Sequence, residues 1–568
     1  MTIQANFPIV RPSLLLDFAN SKVLDPRISF TRSTTATYYD GVTQALAEQN
    51  LLLQSNSFST SPWAATTATL AGSVSDPFGG TTAFSMTATA GNATLYQSYT
   101  ATGLVQSFSI YIQRVTGTGT INITANGATG LTAQTISGTW TRYTVTATPS
   151  AGAVSIGIQL VTSGDAVNIY GAVLEQRATP IAFLPNYLIT TTAPISNYIP
   201  QLLTAAINQP RFDVDPVTGL SKGLLIEDSN TNYLTYSQDF TQSIYTKTNV
   251  TALANQNIAP DGTLTANTLT ETTATGYHLV SFVSSWSAYI MVKANGCNFV
   301  GWGNSATPAG VLNLTTGVIT GSTSNITVQS IGNGWYIFSN WFRTGTSALQ
   351  MSRDGTTWSY TGDGKSGIFV WGATDAGYIA NLPSYIRTSG ATVTKAADVV
   401  SMTGTNFSSW FNNGQGTFFT ENYYDRNFTA ISAPLNLYQV DAGVNATTNV
   451  IKAYCPSSSF NVTGLITNNG TNIYNQTLGA VSSGYNQATP ASSLYKTALS
   501  YSNTSTSGQL NGATALTTTP TAIPPAMSRM TIGSQYGTVT TFINGWIKKL
   551  AYYPEQTTVA QITGLTSS

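Results

Sequence analysis

Apolar and polar residues alternate in short runs along most of the chain, the period of a strand rather than of a helix. In Gly367-Ile368-Phe369-Val370-Trp371-Gly372-Ala373 the pattern puts Ile368 and Val370 on one face of a predicted strand, and Phe369 and Trp371 on the other. Val167-Asn168-Ile169-Tyr170-Gly171-Ala172 repeats it, with Val167 and Ile169 on the apolar face and Asn168 and Tyr170 opposite. In both stretches Gly-Ala reads as a small-residue break that ends the strand. The apolar face is expected to be core in each copy.

The two stretches close a longer duplication. Asn50-Leu51-Leu52-Leu53-Gln54-Ser55 opens one copy and Asn232-Tyr233-Leu234-Thr235-Tyr236-Ser237 the other. A Pro/Gly turn and a Thr-rich strand follow in each, at Asp76–Ala83 and Pro260–Ala266. Then come Phe108-Ser109-Ile110-Tyr111-Ile112 and Trp286-Ser287-Ala288-Tyr289-Ile290, and after them the strands begun by Trp140 and Trp335. The matches keep one order while their spacing drifts, as loop insertions would produce, so they predict two copies of one sandwich module. The expected division is a lead-in over 1–45, a jelly-roll module over 46–184 and a connector with Pro194 and Pro200 over 185–210. A second jelly-roll module follows over 211–400, and a further sandwich over 401–568. In the last, Gly416-Thr417-Phe418-Phe419 and Thr497-Ala498-Leu499 read as strands, and Asn511-Gly512 as a hairpin turn. Val559, Ile562 and Leu565 sit at helical spacing. The expectation is an all-β chain of three jelly-roll or concanavalin-like sandwiches in tandem behind an extended lead-in.

Composition narrows the partners. Charged residues are 8% of the chain, against about 25% in an average soluble domain, and 22 basic side chains balance 22 acidic ones. No basic surface is available for phosphates, so nucleic acid is not an expected partner. No apolar run reaches the ~20 residues of a membrane helix, and residues 1–6 lack a basic segment leading into an apolar one. Cys297 and Cys455 are read as free buried thiols.

Sugar recognition needs flat aromatic rings ringed by amides and hydroxyls, and the chain has ten Trp and 29 Tyr. Trp371 and Tyr170 occupy matching positions off the apolar face, so they are candidate stacking platforms; the competing reading packs them under a loop or against a neighbouring domain. Trp302, Trp341 and Trp358 are further candidates. Asp261-Gly262, Asp354-Gly355 and Gly362-Asp363-Gly364 could supply oxygen ligands to a structural calcium, although Asp-Gly turns account for them without metal. His278 is the single histidine, so any Ser-His-Asp or His-metal site would have to use it, and it reads as structural. No carboxylate pair stands out for glycoside hydrolysis, and no phosphate-binding glycine motif is present. No cofactor is expected.

Pro210-Arg211-Phe212-Asp213, Gly223-Leu224-Leu225-Ile226-Glu227, Asn333-Gly334-Trp335-Tyr336, Ser366–Ala373 and Lys395-Ala396-Ala397-Asp398 resemble tailed-phage structural proteins with a head-spike-fibre-type carbohydrate-binding module. The resemblance covers roughly 205–400, and 24–42 is similar to that family's lead-in. Gly416-Thr417-Phe418, Asn511-Gly512 and Asn544-Gly545-Trp546-Ile547-Lys548 resemble the concanavalin/laminin-G sandwich. The resemblance implies a non-enzymatic virion surface protein, whether tail fibre, collar or head spike, made in the host cytoplasm and freed by lysis. Its expected partners are host-surface glycans and other virion proteins, its expected assembly a homotrimer, and its expected anchor the lead-in. A decoration protein without a glycan site and a capsule depolymerase are the competing readings.

Overall fold

The computed structural model describes residues 7–180, 188–285, 287–303, 306–321, 325–341, 345–376, 383–425, 434–443, 448–457, 459–481, 485–535 and 541–567. Trp286 and the first residues of the expected connector, 185–187, lie outside them. Strands dominate. Among the described residues the α-helices are Phe18–Ser21, Thr405–Ser408 and Val559–Ser567. The last is the expected terminal helix, and it buries Ile562 and Leu565 against Phe419, Ala498 and Ala551.

The duplication is visible strand by strand. In the first module one sheet orders Thr141–Ala147, Gln106–Thr116, Ala166–Glu175, Ala83–Ala88 and Ala68–Val74. The second module repeats this order with Trp335–Asn340, Ala288–Asn295, Gly367–Asp375, Ala266–Glu271 and Val250–Asn257, and adds Ile326–Gly332 at one edge. The facing sheets also correspond. Thr132–Gln134, Ile121–Thr124, Gly152–Leu160, Ala93–Ala101 and Trp63–Thr66 match Gly310–Asn313, Phe299–Trp302, Gly345–Ser352, Leu279–Ser284 and Thr246–Thr248, with Ile319–Gly321 as an extra edge strand. Val167 and Ile169 lie in the core of the first sandwich, and Ile368 and Val370 in that of the second.

Gly171 and Gly372 do not end their strands, as the sequence had implied. The strands run on to Glu175 and Asp375, and each glycine sits in a bulge. Tyr170 pairs with Tyr111 but Val173 with Ser109, and Trp371 pairs with Met291 but Thr374 with Tyr289. The extra residue is accommodated at a left-handed backbone, φ +64° at Gly171 and +65° at Gly372, which glycine adopts without a Cβ penalty. A buried asparagine locks each bulge. Asn50 Nδ2 donates to the carbonyls of Ala172 and Leu188, while its Oδ1 accepts from the N–H groups of Leu52 and Leu174. Asn232 does the same with Ala373, Ile386, Leu234 and Asp375. Ser55 with Thr190, and Ser237 with Thr388, complete the two equivalent clamps.

The third sandwich is not confined to 401–568, and the three are nested rather than consecutive. Its eight-stranded sheet orders Phe212–Val214, Ser221–Ile226, Gly545–Tyr553, Gln415–Tyr424, Tyr495–Ser502, Thr506–Leu510 and Leu516–Thr518, with Leu14–Asp17 also paired to Gly545–Tyr553. In the facing seven-stranded sheet Ser29–Thr31 pairs with Val399–Thr403. The expected lead-in and the start of the expected second module are therefore strands of this sandwich. The reason is burial: Leu14, Leu16, Phe18, Leu224 and Ile226 complete the same core as Phe418, Leu550 and Tyr552. Both jelly rolls are insertions into it on antiparallel stems. Gln44–Asn50 with Ile195–Pro200 carries the first, and Asn230–Asn232 with Val393–Lys395 the second.

Candidate functional site

All five aromatic residues expected to stack on sugar are buried, and none presents a ring face to solvent. Trp371 is 0% exposed. It packs on Tyr385 at 4.5 Å between ring centroids and donates its Nε1 hydrogen bond to Thr265. Its surroundings include Ile199 and Leu202, so the outer sheet of the second module is covered by the stem of the first. Tyr170 lies under the Asp76–Thr82 turn, against Phe78 and Tyr111. Both positions take the competing reading, one against a neighbouring domain and one beneath a loop. Trp302 is in the core of the second module between Phe282 and Phe338. Trp341 is buried, with its Nε1 directed to Thr327 Oγ1. Trp358 is buried over Gly301, where an added Cβ would meet Pro308 at 2.7 Å and Trp358 at 3.0 Å.

The residues considered for catalysis and metal binding are likewise engaged. His278 is fully buried, with Nδ1 2.8 Å from the Asn249 carbonyl and Nε2 3.1 Å from that of Tyr360. Cys297 and Cys455 are buried and form no disulfide, and burial pushes the Cys297 thiol up to about 12, away from the reactive thiolate. Asp261, Asp354 and Asp363 accept backbone N–H groups from the residues two or three positions on, which is turn capping. Among the described residues no three His, Cys, Asp or Glu side chains gather as a metal site.

Three of the resembling motifs, those carrying Arg211, Glu227 and Lys395–Asp398, meet at the junction between the sandwiches. Arg32 pairs with Asp398 at 2.8 Å, Arg211 with Asp398 at 2.6 Å and with Glu227 at 2.7 Å, and Lys395 with Glu227 at 3.6 Å. All five side chains are buried. Burial by itself would raise the Glu227 carboxyl, but Arg211, Lys395 and the Ser384 N–H and hydroxyl outweigh it and bring it down to about 2. Arg32, Arg211, Glu227, Lys395 and Asp398 form an ionic fastening where the insertions leave the third sandwich.

A solvent-facing aromatic with polar company lies in the first module at Tyr96, a residue the sequence had not singled out. In the strand Ala93–Ala101, Leu95 points into the core and Tyr96 to the outer face. Tyr96 is half-buried. It stands opposite Gly157 on one side and Ala64 on the other. A Cβ on Gly157 would meet the Leu95 carbonyl at 2.1 Å and the Tyr96 ring at 3.0 Å, so only glycine permits the ring to lie so close to the sheet. Partial burial raises the Tyr96 phenol above its ordinary value. The next row across the same face is Thr66, Thr94, Gln159 and Asn122. Asn122 Nδ2 donates to Gln159 Oε1 at 2.8 Å. The Asn122 carbonyl oxygen and the Gln159 amide nitrogen remain for a ligand's hydroxyls. On the corresponding outer face of the second module, Pro308 and Trp358 cover the Gly301 position.

A scan against protein-family models matched none, and a search of curated proteins matched none. Among solved structures, the chain is similar to the CBM40 domain of Ruminococcus gnavus IT-sialidase, determined with alpha2,3 sialyllactose. The identity is 16%, the TM-score 0.24, and the match spans 29% of this chain and 88% of that one. The N-terminal CBM22-1-CBM22-2 tandem of Paenibacillus barcinonensis Xyn10C matches at 10% identity and a TM-score of 0.20, over 63% of this chain and 98% of that one. Likenesses this loose carry no residue role across.

Proposed function

We propose that this chain is a non-enzymatic glycan-binding protein of a virion surface, and that the outer face around Tyr96 holds the sugar. The single observation that carries this is the half-buried Tyr96 ring laid along Gly157, beside the Asn122–Gln159 amide pair and open to solvent. A pyranose stacks its C–H face on such a ring, and its equatorial hydroxyls reach the amides and the Thr94 and Thr66 hydroxyls. Binding without turnover rests on the motif resemblance. The virion setting and the host-surface glycans rest on the motif resemblance, as does attachment to other virion proteins. Trimeric display of one weak site per chain would convert it to useful avidity.

The test is incubation of the intact chain with immobilised and free bacterial surface polysaccharides. The reading expects saturable binding with polymer length unchanged. Shortening of the polymer would replace it with a depolymerase. Absence of binding across the panel, with tight binding to capsid or tail, would replace it with a decoration protein.

A further inference from the structure

The sheet that carries Tyr96 bears no charged side chain. Its five strands are Thr132–Gln134, Ile121–Thr124, Gly152–Leu160, Ala93–Ala101 and Trp63–Thr66, and none contains Asp, Glu, Lys or Arg. The scarcity extends through the module. From Gln49 to Glu175 the charged residues are Asp76, Arg114, Arg142, Asp165 and Glu175. None of them lies on that sheet. Asp76 accepts the N–H groups of Phe78, Gly80 and Thr82 within its own turn. Arg114 pairs with the buried Asp165 at 3.4 Å. Arg142 and Glu175 belong to the opposite sheet, where Arg142 donates to Ser109 and the buried Glu175 lies 3.4 Å from Arg177.

The face offers neutral donors and acceptors instead. Side chains alternate along a strand, so Thr94, Ser98 and Thr100 share the outer side with Tyr96, and Ser98 and Thr100 are exposed. Once Asn122 has donated to Gln159, one amide oxygen and one amide nitrogen of the pair remain uncommitted. Exchanging oxygen and nitrogen in both amides leaves the same set. A sugar hydroxyl both donates and accepts, so it can meet either group. An ionised carboxylate or phosphate only accepts. It would face the amide oxygen with like polarity, and it would give up water with no cation on the sheet to replace it.

We infer that the Tyr96 face takes neutral sugars and discriminates against acidic ones, namely uronates, sialic acids and phosphate-bearing repeats. The inference rests on the reading of this face as a glycan site and adds its specificity. Recognition of this kind contains no ion pair for salt to screen, so its affinity is expected to be the same at low and high ionic strength.

The experiment sets the full chain and its Tyr96→Ala variant against two groups of polymer by calorimetry, at low and at high NaCl. Dextran, mannan and galactomannan are the neutral probes; alginate, polygalacturonate and colominic acid are the acidic ones. At least one neutral polymer is expected to bind, equally at both salt concentrations, and to lose tenfold or more in affinity with Tyr96→Ala. No acidic polymer is expected to bind in a way that depends on Tyr96. Binding of an acidic polymer that is lost with Tyr96→Ala would overturn the inference while leaving the face as a glycan site. Binding in neither group, or binding that Tyr96→Ala leaves unchanged, would overturn the glycan reading of the face and the inference with it.

Discussion

Trp371 and Tyr96 exchange the roles that their sequence contexts suggest. Trp371 has a repeat partner, an apolar strand and a position off the core face, yet its ring is enclosed by Tyr385, Met291 and the first stem. Truncation to Ala is expected to cost about 3–5 kcal/mol, the range for a large aromatic removed from a core, read as a lower denaturant midpoint. Unchanged stability there would mean that the ring is not packed as described. Tyr96 had no such signal, since Ala93-Thr94-Leu95-Tyr96-Gln97 reads only as an alternating strand. What sets it apart is Gly157 opposite, a pairing that alternation cannot reveal. Glu227 contributes to the acid limb of stability, its folded value lying near 2 against an ordinary 4.5. A depressed carboxyl stabilises the fold above its unfolded value and loses that contribution as pH falls. Unfolding free energy is therefore expected to drop by a few kcal/mol between about pH 4.5 and pH 2. In Glu227→Gln the slope over that window should flatten, from a lower starting stability because Arg211 and Lys395 lose an anion.

At the scale of elements, the duplication was legible because it lives in local patterns: the Asn-x-Leu opening, the Tyr111 and Tyr289 strands, and the closing strands with their Gly-Ala. The bulge was not legible. Gly-Ala after a strand looks the same whether the strand stops or gains a residue, and the difference lies in the partner strands Gln106–Thr116 and Ala288–Asn295. The bulge makes its own prediction. Gly372→Ala would hold a Cβ at φ +65°, within 3.3 Å of the Met291 sulfur and 3.4 Å of the Tyr385 ring. A loss of about 1–2 kcal/mol is expected from the left-handed backbone alone, measured by thermal or urea unfolding. A neutral outcome would show that the bulge rearranges.

At the scale of the molecule, the sequence divided the chain where its repeats begin and end, but long-range pairing divides it otherwise. Nothing local in Leu14-Leu15-Leu16-Asp17 says that its partner is Leu550 and its neighbours. The nested order predicts asymmetric responses to deletion. Replacing residues 51–194 by a short turn across the paired ends Asn50 and Ile195 should leave the third sandwich folded, because the stem closes on itself. Removing residues 1–24 should unfold it, because Leu14, Leu16 and Phe18 are part of its core; retained folding would contradict the nesting. With the insertions held on a common base, the face around Tyr96 in the first module is the proposed sugar site. The most direct measurement is the affinity of the intact chain and of its Tyr96→Ala variant for the same surface polysaccharide, with unfolding curves of both. The account predicts equal stability within about 1 kcal/mol, as expected for a partly exposed position, and at least a tenfold loss of affinity, about 1.4 kcal/mol. Full binding by the folded Tyr96→Ala chain would contradict it and place the glycan elsewhere.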